Sequence, residues 1–146
     1  MKYTEPYDTR KNPPAPVIRV KITNPVTGQS ITQHHYVDTG YDATLLINQQ
    51  TYKKLQLHLT RIDEEAYALH AGTLAQPLTV AAAHIEIGEI YASLEKIYIH
   101  PLPVKPLIGR QILNKLYIHL KGPQNTLQAT TKNTNNQEQH RKLAPA

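Results

Sequence analysis

Asp38 is the residue whose neighbours best equip it for chemistry: Thr39 and Gly40 follow it directly, the apolar Val37 precedes it, and Leu45-Leu46 open a second apolar run soon after. Gly40 lets the chain turn sharply beside the carboxylate and brings backbone N–H groups to it. The Thr39 hydroxyl is small enough to hydrogen-bond across a tight interface. A carboxylate on such a loop can meet a copy of itself across a two-fold axis. Two carboxylates that close cannot both ionise, because like charges repel strongly there, so the pair shares one proton. One aspartate then activates water as general base, and the other holds the proton and polarises a carbonyl. Asp-Thr-Gly is equally a way to end a hairpin, since Asp and Gly are common turn residues. The tripeptide alone does not separate the two readings.

The other polar residues assemble no rival set. There are no cysteines, which excludes disulfides, thiolate nucleophiles and cysteine-ligated zinc. Of the eight histidines, His34 and His35 are adjacent, so on a strand they point to opposite faces. The rest lack the i, i+4 spacing of a zinc helix. Neither a metal nor a cofactor is expected. Ser30 and Ser93, the only serines, lie outside any nucleophile-elbow motif. Glu64-Glu65 reads as a solvated turn. Gly109-Arg110 lacks the other residues of a phosphate-cradling loop.

Asp38 must be positioned by strands, because the period-2 signal dominates the chain. Residues 17–22 and 31–37 read as two strands joined by a turn at Asn24-Pro25-Val26-Thr27-Gly28. Residues 43–47 read as a short buried strand. Asn48 can cap a helix running to about Leu55. Residues 66–69 and 78–87 are strand-like, and a turn at Gly88 leads to a returning strand over 91–99. A rigid proline-bearing loop, 101–106, precedes a short helix over 109–116 and a last strand over 117–120. The sum is a mainly β domain of sandwich or barrel type.

Composition bounds the rest. A chain of 146 residues favours one domain. Residues 1–16 are polar and end in Pro13-Pro14-Ala15-Pro16, which reads as a flexible N-terminal arm. Residues 122–146 read as a disordered polar tail, with too few apolar groups to offset the entropy of ordering them. The domain is expected over residues 17–121. With no Phe or Trp, its core falls to Leu, Ile, Val and Ala, with Tyr at the edges. The net charge of +5 is scattered, with no basic run longer than a pair and no aromatic interleaving, so no nucleic-acid partner is expected. No membrane span or secretory signal is expected either, which points to the cytoplasm.

A second element decides how to read Asp38. Far along the chain, Leu107-Ile108 runs into Gly109-Arg110 and then Gln111-Ile112-Leu113. This pairing of Val-Asp-Thr-Gly with a later Leu-Ile-Gly-Arg resembles the retropepsin family, the retroviral proteases and their cellular relatives, over about residues 17–121. The loop Pro101-Leu102-Pro103-Val104 also looks like the proline-bearing loop before that helix in retroviral proteases. Tyr41 fits a prokaryotic variant, with an aromatic residue after Asp-Thr-Gly, better than the small residue usual in retroviral enzymes.

The resemblance implies a retropepsin-like acid-protease barrel with one or two short helices and half an active site per chain. It implies an aspartic endopeptidase that cuts peptide or protein substrates. Asp38 would be the catalytic carboxylate, Thr39 would bond across the dimer axis, and Gly40 would present backbone groups near substrate. Asp42 matches an acidic position that touches substrate backbone and pairs with the helix arginine, here Arg110, beside Gly109. Tyr41 would also line the substrate site. A flap is implied near residues 69–78, its tip carrying Gly72, Thr73 and Leu74; it departs from the glycine-rich flap of retroviral enzymes. A single Asp-Thr-Gly requires a homodimer. With both termini read as unstructured, the interface is expected around residues 117–120. Two alternatives stay open: a dimeric peptide- or protein-binding module that does not cut, and a monomeric β domain in which Asp38 is a turn residue.

Overall fold

The computed structural model describes residues 1–68 and 75–132. The chain enters as strand β1 (Lys2–Pro6) and continues into β2 (Val17–Thr23) and β3 (Ser30–Val37). In β2 the alternation is plain: Val20 and Ile22 are fully buried while Arg19 and Lys21 face solvent. The β2–β3 turn is pinned by Asn24. Its Oδ1 accepts from the Val26 N–H at 2.8 Å, and its Nδ2 donates to the Leu55 carbonyl at 2.8 Å. Gly28 takes the positive φ of 76° that the turn requires.

Strand β4 (Leu45–Asn48) runs directly into helix α1 (Gln49–Lys54), where Asn48 accepts from the Thr51 N–H at 3.0 Å as N-cap. A 3-10 turn at Leu57–Thr60 leads to β5 (Arg61–Ala68). Then come β6 (Gln76–Ile87), β7 (Tyr91–His100) and the two-residue β8 (Leu107–Ile108). Helix α2 (Arg110–Leu113) is followed by β9 (Tyr117–Lys121) and β10 (Thr126–Thr130). The helix expected over 109–116 is therefore little more than one turn.

Seven strands form one sheet in the order β2-β3-β8-β4-β7-β6-β5, and a further β2–β6 pairing closes it toward a barrel. Ile18, Ile22, Leu45, Ile47, Ile85, Ile97, Ile99 and Ile108 fill the interior with no exposure. The fold is mainly β, as the strand periodicity implies.

The termini differ from the expectation. β1 falls within the expected flexible arm (1–16) and β10 within the expected disordered tail (122–146), yet the two pair along five residues each, and β10 pairs with β9. Leu127 and Ala129 are buried on the inner face of this second sheet. Each segment is too polar to hold a core by itself. Pairing satisfies both backbones at once and lets a few inward side chains suffice. Tyr3 ties the arm down: its hydroxyl donates to Glu5 at 2.7 Å and accepts from the Arg19 N–H at 2.8 Å.

Candidate active site

Asp38 leaves the end of β3 just where β8 is wedged into the sheet. β8 runs parallel to β3 (Tyr36 opposite Leu107) and antiparallel to β4 (Leu46 opposite Leu107). Backbone bonds then lock the loop. The Asp38 N–H donates to the Ile108 carbonyl at 3.1 Å, the Gly109 N–H to Thr44 at 2.8 Å, and the Arg110 N–H to Tyr41 at 2.8 Å. Gly109 has no room for a side chain: an added Cβ would lie 2.3 Å from the Ala43 carbonyl oxygen and 2.7 Å from that of Tyr41. The distant Leu-Ile-Gly-Arg element is thus the brace of the Asp38 loop.

Within the loop the Gly40 N–H donates to Asp38 Oδ1 at 2.9 Å. A carboxylate held by a backbone donor keeps one orientation. Thr39 and Gly40 are exposed and Asp38 half-buried. Beneath them the buried Thr44 hydroxyl donates to the Lys96 carbonyl of β7. On the β3 side, His35 is fully buried. Its Nδ1 lies 3.0 Å from the Leu107 carbonyl and its Nε2 3.1 Å from Gln33 Nε2. Gln33 Oε1 in turn accepts from the Thr51 hydroxyl at 3.4 Å. Only a neutral imidazole protonated on Nδ1 satisfies this chain, and burial pushes its pKa down to about 4.

Asp38 opens into a cleft of about 600 Å³. Gly40, Tyr41, Asp42, Leu46, His100, Val104, Lys105 and Leu107 line it, with Tyr67 and Ala68 of β5. His100 is buried and its Nδ1 accepts from the Leu102 N–H at 3.0 Å, which tethers the 101–106 loop. The Tyr41 hydroxyl is buried with no hydrogen-bond partner among the described residues, and burial raises its pKa.

No family model and no curated protein matches the chain. Solved structures do. A retropepsin-like aspartic protease from Rickettsia conorii is 16% identical, with 88% of this chain and 94% of that one covered at a TM-score of 0.53. EIAV protease complexed with the inhibitor HBY-793 is 19% identical, with 68% and 86% covered at a TM-score of 0.46. The fold is retropepsin-like.

On this retropepsin-like frame, Asp38, Gly40, Tyr41 and Asp42 share one cleft, and Gly109 and Arg110 sit behind their loop. Gly72, Thr73 and Leu74 lie outside the described residues. The expected Asp42–Arg110 ion pair does not form among the described residues. Both residues are exposed, and Arg110 meets the loop through its backbone N–H instead. Two solvated charges gain at most about 1 kcal/mol by pairing, so nothing compels the contact. Sequence reasoning missed the His35–Gln33–Thr51 chain and the presence of Lys105 on the cleft wall. The alternation of β3 does send His35 inward and His34 outward, which was the available signal. Among the described residues no cluster of three His, Cys, Asp or Glu could hold a metal. No described helix is long and apolar enough to cross a membrane.

Proposed function

We propose that the chain is one subunit of a homodimeric aspartic endopeptidase, with Asp38 as its catalytic carboxylate. One observation carries this reading: Asp38 stands on a loop braced by Ile108 and Gly109, oriented by the Gly40 N–H, and opens into a peptide-sized cleft. Two such carboxylates facing each other share one proton. The ionised Asp38 takes a proton from water as the water oxygen attacks the scissile carbonyl carbon. The protonated Asp38 of the second subunit gives its proton to the carbonyl oxygen. The resulting diol collapses: one hydroxyl returns its proton to the ionised carboxylate, the C–N bond breaks, and the amine leaves with the proton held by the other carboxyl. Thr39 holds the two loops together across the axis, and Tyr41 and Asp42 contact the substrate.

Gly72, Thr73 and Leu74 belong to the flap in this reading. The seam lies at β9, whose outer edge carries no partner strand among the described residues and which exposes Tyr117 and Leu120. The test is cleavage of a peptide library by wild type and Asp38→Asn. The substitution should lower turnover at least about a hundredfold, the lower end of what acid–base groups contribute. Equal turnover would sink the reading. Peptide binding by a dimer with no turnover in either protein would favour the binding module.

A further inference from the structure

Lys105 is the one cationic side chain on the described wall of the cleft that holds Asp38. Its ammonium lies 5.1 Å from the centre of the Tyr36 ring, and that of Lys11 lies 5.6 Å from the same ring. Cations prefer this position over an aromatic face. The nearby anion is already engaged: Asp8 pairs with Arg10 at 2.9 Å and accepts from the Tyr36 hydroxyl. Lys105 itself makes no ion pair among the described residues, and it does not pair with Asp42 across the cleft. A peptide lying in the cleft beside Asp38 therefore meets a positive charge that no ion pair among the described residues neutralises.

We infer that Lys105 is a specificity-determining residue and that the substrates of this cleft carry a glutamate or aspartate side chain near the scissile bond. The inference rests on the proposed peptide-cleaving site. An acidic side chain bound in the cleft would meet the exposed Lys105 ammonium beside Val104 and Leu107, as a partly solvated pair. A lysine or arginine at the same place would meet a like charge.

The experiment is a cleavage-site profile of a mixed peptide library with the full-length chain as wild type, Lys105→Met and Lys105→Glu. It is run near pH 6, above the ordinary glutamate value of about 4.3, so that acidic side chains are charged. Wild type should favour Asp and Glu at one position by about two- to fivefold in kcat/KM, the range of exposed ion pairs. Lys105→Met should level that position, Lys105→Glu should turn it toward Lys and Arg, and high salt should flatten the wild-type preference. An acidic preference that is absent in wild type, or unchanged in Lys105→Glu, overturns the inference. Binding of uncleavable hydroxyl-bearing peptides, with Glu or Gln beside the hydroxyl, separates the two readings. A Glu preference that Lys105→Glu reverses, with no turnover by any of the proteins, upholds the role of Lys105 and rejects proteolysis. Turnover without any Glu preference rejects the role of Lys105 alone.

Discussion

Gly109 and His35 show how single residues set the geometry around Asp38. At Gly109 two backbones approach until an added methyl would sit 2.3 Å from the Ala43 carbonyl oxygen. Gly109→Ala must push the Asp38 loop away from α2, at a cost of about 1–3 kcal/mol or more, the usual range for overpacking. The expected result is a lower urea midpoint together with lost turnover. His35 is buried and neutral in the fold, with a folded value of about 4 against about 6.5 in the unfolded chain. Its folded pKa is depressed, so its contribution is fully present above about pH 6.5. Below that the unfolded chain takes up a proton that the fold refuses. Stability falls as pH drops from about 6.5 to about 4, by roughly 3 kcal/mol in all, and the loss is then complete. His35→Gln should remove this part of the acid slope, measured as urea unfolding at a series of pH values. An identical slope in both proteins would count against a neutral buried His35.

At the scale of elements, the shortest ones are the most consequential. β8 has two residues and α2 four, yet they brace the Asp38 loop through the Asp38, Gly109 and Arg110 N–H groups. β1 is the opposite case, a polar strand held mostly by pairing. Its anchor is Tyr3, whose hydroxyl serves Glu5 and the Arg19 N–H while its ring covers Gly88. Glu5 is only 4% exposed, so its carboxylate depends on that hydroxyl and on Arg19, 3.4 Å away. Tyr3→Phe should cost about 1–3 kcal/mol by leaving a buried acceptor underserved. The check is a shifted urea midpoint with an unchanged slope. A midpoint equal to that of wild type would mean that β1 contributes little to the stability of the described fold.

The molecule as a whole carries one Asp-Thr-Gly, and its second sheet is β1-β10-β9. β1 and β9 are both edge strands of that sheet, each paired with β10 alone among the described residues, and β9 is the edge that exposes Tyr117 and Leu120. Leu120 lies opposite the buried Leu127 in register, yet it is 49% exposed, so an apolar row runs out at that edge. A second copy added along β9 would cover Leu120 and satisfy the open backbone groups. Leu120→Glu, which places a charge in that seam, should raise the dimer dissociation constant by about tenfold or more. Sedimentation should show monomer, and turnover should fall with dimer content. An unchanged dimer would move the seam elsewhere.

Much was legible in the residues themselves. Alternation marked the strands, Asn48 marked the start of α1, and Asp38-Thr39-Gly40 with Leu107-Ile108-Gly109-Arg110 marked the two halves of one element, because these signals are local. The missed features are those made by distant pairing. β1 and β10 carry too few apolar residues to announce themselves, and only their mutual register makes them strands. His35 looked like one of a discounted pair until β8 offered its carbonyl. The Asp42–Arg110 pair, which the motifs implied, was undone by solvent exposure. Composition and periodicity therefore determined a mainly β chain with a carboxylate on a tight loop. Tertiary structure alone decided what braces that loop and which charge lines the cleft with it, since both depend on residues far apart in sequence meeting in a closed barrel.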